Sequence, residues 1–223
     1  MGVLIIILLI LFLWKRRGGS RRPSSYEKDL RRAASKDPKA KGAYGEYLIL
    51  KELEELRGHK RILTNVYLPR SQGDTTEVDL ILLCEKGIYV IESKNYSGMI
   101  IGDERDAYWI QHLNQRAQYK FYSPVKQNEG HIRSLNAFLS IPKRDIYRSC
   151  IVFSDRCQLK KVVMRSDVMV VHRCQLYMTL VEDLRRRPVI LSAAEIEYYY
   201  KKLEPCTHVS EAEKAKHAAR IYG

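Results

Sequence analysis

From Tyr44 to Gly58 the chain reads YGEYLILKELEELRG, in which Ile49, Leu50, Leu53 and Leu56 recur at helical spacing and predict an amphipathic helix. Glu46 falls inside that apolar arc, whereas Glu52, Glu54 and Glu55 fall outside it, where solvated acids belong. The next pattern, EVDLILLCEKGIYVIESK from Glu77 to Lys94, has the strand period of two and predicts a β-hairpin with CEKG as its turn. Asp79, Ile81 and Leu83 then share one face, and Ile88, Val90, Glu92 and Lys94 share the matching face of the second strand. Pairing carried outward from the turn sets Asp79 across from Glu92, with β-carbons about 5 Å apart. GMIIGDERDAYWIQ predicts a further hairpin, and SCIVFS and DVMVVH predict short strands. SPVKQNEGHIRSLNAFL predicts a helix with Ser123 as N-cap and Pro124 in its first turn. LYMTLVEDLRRR and SAAEIEYYYKKLE predict two more, so the fold class is α/β.

Ahead of this pattern stands GVLIIILLILFLW followed by KRRGGSRR, an apolar run with a positive flank. It predicts a hydrophobic membrane anchor over 1–14 and a basic juxtamembrane tether over 15–40 that is flexible or partly helical. No basic segment precedes the run and no small-residue cleavage site follows it, which argues against a signal peptide. By the positive-inside rule the chain is then a single-pass membrane protein with its C-terminal domain in the cytoplasm. The net charge of +13 is concentrated here: eleven basic and three acidic residues between Lys15 and Lys41 give +8, leaving +5 for the rest. Attraction of the tether to anionic lipid accounts for that excess, so the charge is weak evidence for nucleic acid.

Five cysteines without a C-x-x-C pair write neither a disulfide framework nor a zinc knuckle, and are read as reduced thiols. No H-E-x-x-H, phosphate-loop or dinucleotide motif occurs. His131, on the Gln127 face of its helix, is read as a structural or rim residue for lack of partners. The tyrosines at 198–200 are read as helix packing and Arg185 to Arg187 as a helix C-terminus favoured by the dipole.

The chemistry lies in the misplaced charges. Two carboxylates facing each other among apolar neighbours repel and lose hydration, so something positive must sit between them. Lys94 shares the face, and a divalent cation held by oxygen ligands, Mg²⁺ or Mn²⁺, completes the compensation. Glu46 joins by an independent route, from the buried arc of a helix, and three converging acids with a lysine predict a site.

The order GAYGE, EVD, IESK and SPVKQN resembles the nuclease-related (NERD) domain, a branch of the PD-(D/E)xK nuclease superfamily. The match runs from about Lys41 to Leu139, with Ser123 standing where the family more often has Asn. The resemblance implies a restriction-endonuclease-like mixed sheet flanked by helices over 41–157, with 158–223 supplying a strand and helices to the same unit. It places Glu46, Asp79, Glu92 and Lys94 on active-site positions and Gln127 on the family's glutamine position. The implied activity is Mg-dependent phosphodiester hydrolysis of nucleic acid, DNA ahead of RNA. Asp79 and Glu92 would hold the metal and Glu46 a water beside it. Lys94 would either help deprotonate the attacking water or stabilise phosphate charge, and Gln127 would position Lys94 or contact the substrate backbone. The competing reading is a non-catalytic, membrane-tethered module for binding nucleic acid or protein on a nuclease fold.

Overall fold

The computed structural model describes residues 25–70, 75–114, 117–142 and 144–210. Two helices come first, α1 (Ser25–Ala34) and α2 (Pro38–Glu54). Three antiparallel strands follow: β1 (Lys60–Pro69), β2 (Thr75–Cys84) and β3 (Gly87–Lys94). The pattern had shown β2 and β3 but not β1, whose polar positions interrupt its alternation. A two-residue turn joins β2 to β3, with Cys84 paired to Gly87. Gly87 has φ of +131° and stands against the Ile146 carbonyl, a place closed to a β-carbon. Two parallel strands, β7 (Tyr147–Phe153) and β9 (Met169–His172), extend this sheet to the order β1-β2-β3-β7-β9.

A second, four-stranded sheet has the order β6-β5-β4-β8. It comprises β4 (Gly98–Asp103), β5 (Tyr108–His112), β6 (Gln118–Tyr122) and β8 (Cys157–Val163). Only the β4–β5 hairpin was legible beforehand, because β6 and β8 are largely exposed and carry little apolar periodicity. Trp109 and Phe153 stack between the sheets with ring centroids 6.2 Å apart.

Helices cover both faces of the first sheet. On one face Ile49 and Leu53 of α2, and Leu176 and Leu180 of α4 (Arg173–Arg186), bury against Leu80, Leu82, Tyr89 and Ile91. On the other, Leu135 and Leu139 of α3 (Pro124–Leu139), and Ile196 and Leu203 of α5 (Ala193–Leu203), bury against Ile81, Leu83, Ile88 and Val90. Each fully buried aliphatic side chain contributes about 1.5–3 kcal/mol, so period two on the strands and the helical period together fix which face each helix covers. Two mixed sheets flanked by helices fit a restriction-endonuclease-like fold.

The single-pass membrane placement is corrected. Among the described residues no helix is long and apolar enough to cross a membrane. The 17-residue α2 would span only about 25 Å of a roughly 30 Å hydrocarbon core, and it carries lysines and glutamates along its length. The run 1–14 that suggested an anchor, and the first part of the tether, lie outside the described residues. Within the tether the structure has a helix, α1.

Candidate functional site

The β2–β3 ladder runs from Cys84–Gly87 to Leu80–Ile91, in the register expected from the turn, and ends there. Asp79 and Glu92 occupy the next positions, where the two strands part. Instead of a ladder bond, the Ser93 N–H donates to Asp79 Oδ2 at 2.7 Å. On the other side of β2, the β1 ladder skips Asn65, whose φ is +52°, opposite Asp79. Asp79 thus sits where β2 parts from β3 on one side and where the β1 ladder is interrupted for one residue, resuming at Val66–Val78, on the other. β3 stays paired to β7 through Glu92, Ser93 and Lys94, which holds that strand rigid while β2 leaves it.

The opening is the floor of a cleft of about 1210 Å³ lined by Glu46, Asp79, Glu92, Lys94 and Gln127. All five residues expected from the sequence are therefore brought to one place. Glu46 projects from the first half of α2, which approaches the end of β3 closely: a β-carbon on Gly45 would lie 3.2 Å from the Asn95 side chain. Asn95 in turn donates to the Lys41 carbonyl, fastening the start of the helix to the strand end. Gln127 enters from the first turn of α3, whose N-cap Ser123 accepts from the Lys126 N–H and whose Pro124 follows the cap. Its neighbour Asn128 points the other way and donates to the Val90 carbonyl at 2.9 Å and to Ser149 Oγ at 2.8 Å, pinning the helix to the sheet.

A chain of polar contacts crosses the floor. Lys94 Nζ lies 2.7 Å from Glu92 Oε1 and donates to Gln127 Oε1 at 2.9 Å. The other Glu92 oxygen, Oε2, is 3.1 Å from His131 Nε2, and His131 Nδ1 is 2.9 Å from Thr76 Oγ1. Arg70 donates to that same Thr76 oxygen at 3.0 Å. An ionised carboxylate only accepts, so the network assigns a proton to His131 Nε2. Glu92 is 1 % exposed and every oxygen of its carboxylate is engaged.

His131 is accordingly not a rim residue but a partner of the central glutamate, 3 % exposed. One signal was present, since position 131 is one helical turn from Gln127 and faces the same way. Its partner Glu92 is 39 positions away in sequence and is found only once α3 is laid over β3. Nothing in the local pattern marked Thr76 or Arg70.

Electrostatics divide the acids into two kinds. Burial lifts the Glu46 carboxyl to about 7, with the charges of Glu77 and Glu92 adding to it. Asp79 is pushed well above the ordinary carboxylate range by burial, then by Glu92 and Glu46, against the pull of Lys94 and the Ser93 N–H. For Glu92 burial acts in the same upward direction, but the Lys94 charge and the His131 hydrogen bond outweigh it and hold the carboxyl below its usual value. Burial would release the Lys94 proton, yet Glu92 and Asp79 outweigh that and raise its pKa. In this metal-free arrangement Lys94 is a retained cation.

Four acids, Glu46, Glu77, Asp79 and Glu92, thus line a cleft together with Lys41, Arg70, Lys94, Lys126 and Arg133. Among the described residues no three His, Cys, Asp or Glu side chains converge tightly enough to hold a metal ion by themselves.

An uncharacterized protein of Bacillus anthracis is 36 % identical over 130 residues, which are 58 % of this chain and 60 % of that protein. The chain thus spans less than two thirds of the length of that curated relative. The family model described as nuclease-related domain matches residues 41–154, a stretch that holds all five converging side chains and His131. Since that match covers more than half of the 223 residues, the chain belongs to the nuclease-related domain (NERD) family.

Proposed function

We propose that the protein hydrolyses phosphodiester bonds of nucleic acid, DNA ahead of RNA, with Mg²⁺ or Mn²⁺ as cofactor. The observation that carries this reading is the convergence of Glu46, Asp79, Glu92, Lys94 and Gln127 on one cleft; burial first, and neighbouring acids after it, push the Asp79 and Glu46 carboxyls up, while Glu92 and Asp79 keep Lys94 charged. The buried acids open on a cleft that Lys41, Arg70, Lys126 and Arg133 also line, basic side chains suited to a polyanionic substrate.

The donor set fits a hard divalent cation. The carboxylates that line the cleft offer oxygens, the ligand type Mg²⁺ takes, one or two carboxylates together with waters and substrate phosphate oxygens. Asp79 would hold it, with Glu46 and Glu92 contributing charge or an oxygen. When bound, the ion supplies neutralisation of the phosphate charge and a lower pKa for the attacking water.

The chain's own residues do the rest by position. Two of the three Lys94 N–H groups are committed to Glu92 and Gln127, which leaves the third for a non-bridging phosphate oxygen. Gln127 fixes the direction of that ammonium, and His131 fixes Glu92 from the opposite side, so the cation is aimed without reorganisation during the reaction.

The test is cleavage of labelled single- and double-stranded DNA and RNA by the full-length protein in Mg²⁺, Mn²⁺ or EDTA. Metal-dependent cleavage should fall about 100-fold or more in Lys94→Ala, the loss associated with removing one transition-state donor. No cleavage of any substrate with either metal would leave a binding module on a nuclease fold.

A further inference from the structure

The mouth of the cleft carries aromatic surface that the proposed chemistry does not use. Tyr108 of β5 pairs with Tyr122 of β6, and their rings meet edge to face with centroids 6.0 Å apart at 77°. Both stay open to solvent, 59 % and 50 % exposed, while the adjacent pair Trp109 and Phe121 turns into the core between the sheets. Paired residues share a face, so Lys120, two positions before Tyr122, lies on the same outer face as the tyrosines. Tyr119 is also exposed but belongs to the opposite face and takes no part.

A single exposed tyrosine needs no explanation. A contacting pair with one member on the wall of a cleft does. Tyr122 lines the same cleft as Lys94 and Gln127, and it immediately precedes Ser123, the cap of α3, so the helix start ties its position to Lys126 and Gln127. Tyr122 and Lys126 therefore line the cleft that holds Lys94, with Tyr108 against Tyr122 and Lys120 beside it on the same face of β6. Aromatic rings with flanking lysines match a polymer that offers flat, unpaired bases on an anionic backbone. A duplex keeps its bases stacked on one another and presents only groove edges and phosphates.

We propose that Tyr108 and Tyr122 form a base-stacking platform that selects single-stranded nucleic acid, or unpaired ends, as the polymer delivered to Lys94. The assignment of Lys94 as the chemical centre rests on the phosphodiesterase reading above; the binding does not.

The experiment is equilibrium binding by fluorescence anisotropy, with the full-length protein in EDTA so that no cleavage intervenes. The probes are a labelled single strand, an abasic strand of equal length and a blunt duplex. Wild type should bind the single strand about 10-fold or more tighter than the abasic strand, since stacking contributes appreciably at each base. Tyr108→Ala/Tyr122→Ala should lose about 10- to 100-fold on the single strand and little on the abasic strand. Tyr108→Phe/Tyr122→Phe should keep wild-type affinity, and Tyr108→Leu/Tyr122→Leu, which preserves apolar bulk, should not. The Phe and Leu pair decides the matter if the alanine variant does not fold. Lys120→Ala should weaken both strands alike and reduce the salt dependence by about one charge. Equal affinity of wild type for the single and abasic strands, or leucine variants that bind as wild type does, overturns the platform. So does wild-type self-association that the leucine variants abolish while oligonucleotide affinity stays constant. If stacking is found but no metal supports cleavage, the platform stands and the phosphodiesterase reading falls.

Discussion

Asp79 and Glu92 are neighbours with opposite electrostatic fates, and the difference lies in what touches them. Glu92 has Lys94 and His131 on its two oxygens, while Asp79 has one backbone N–H and two nearby acids. The signs follow. A depressed carboxyl such as Glu92 contributes stability that is present above its unfolded pKa of 4.5 and is lost as pH falls through the folded value. A raised one such as Asp79 has its full contribution only below its unfolded pKa of 3.8 and loses it as pH rises. In metal-free protein at neutral pH, Asp79→Asn should therefore be at least as stable as wild type, because the amide oxygen still accepts from Ser93 and the repulsion is gone. Glu92→Gln leaves the Lys94 charge without its closest partner and should cost about 2–3 kcal/mol. Urea unfolding in EDTA measures both, and a plainly destabilised Asp79→Asn would make Asp79 a structural hydrogen-bonder.

At the scale of elements, the approach of α2 to the end of β3 decides whether Glu46 reaches the cleft. Gly42 and Gly45 both belong to the motif that marked this helix, but the structure gives them different standing. A β-carbon on Gly42 would meet nothing within 4 Å, whereas one on Gly45 would press on the Asn95 amide that fastens the helix start. Gly42→Ala should stabilise the protein by about 0.5–1 kcal/mol, the helix-propensity difference. Gly45→Val should destabilise it by about 1–3 kcal/mol through overpacking, and should reduce activity further by withdrawing Glu46. Urea unfolding compares the two, and equal effects would mean that the close approach does not matter. Elements with strong periods were legible in the sequence: β2, β3, α2, and α3 with its Ser123–Pro124 start. β1, β6 and β8 were not, because polar or exposed positions interrupt their alternation.

At the scale of the molecule, the cleft exists because the first sheet opens at the outer ends of β2 and β3 while helices hold both its faces. Glu46 and Asp79, both raised there, make metal-free folding pH-dependent. Glu46, raised to about 7 from an unfolded value of 4.5, favours the folded state below that window and ceases to do so as pH rises through it; Asp79 acts with the same sign. The melting temperature in EDTA should fall between about pH 5 and pH 7.5. Millimolar Mg²⁺ or Mn²⁺ should restore it, more at pH 7.5 than at pH 5, since a cation competes with protons for the same oxygens. Calorimetry at the two pH values checks this, and coincident curves with EDTA and metal would remove the cation from the site.

What the sequence determined alone is whatever depends on chain direction and short spacing. Alternation put Asp79, Glu92 and Lys94 on one face, the CEKG turn set their register, and the helical period placed Glu46 in a buried arc. Ser123 and Pro124 began the helix that carries Gln127. The tertiary structure decided what depends on contacts between distant segments. These are the pairing of His131 with Glu92, the Thr76 and Arg70 link behind it, the parting of β2 from β3 that puts Ser93 N–H on Asp79, and the second sheet with Tyr122 at the mouth. It also decided the charge state of Lys94, because the sign of a buried pKa shift is the difference between burial and neighbouring charge. Both terms are set by which side chains the fold brings within a few ångströms, and spacing along the chain does not contain that information.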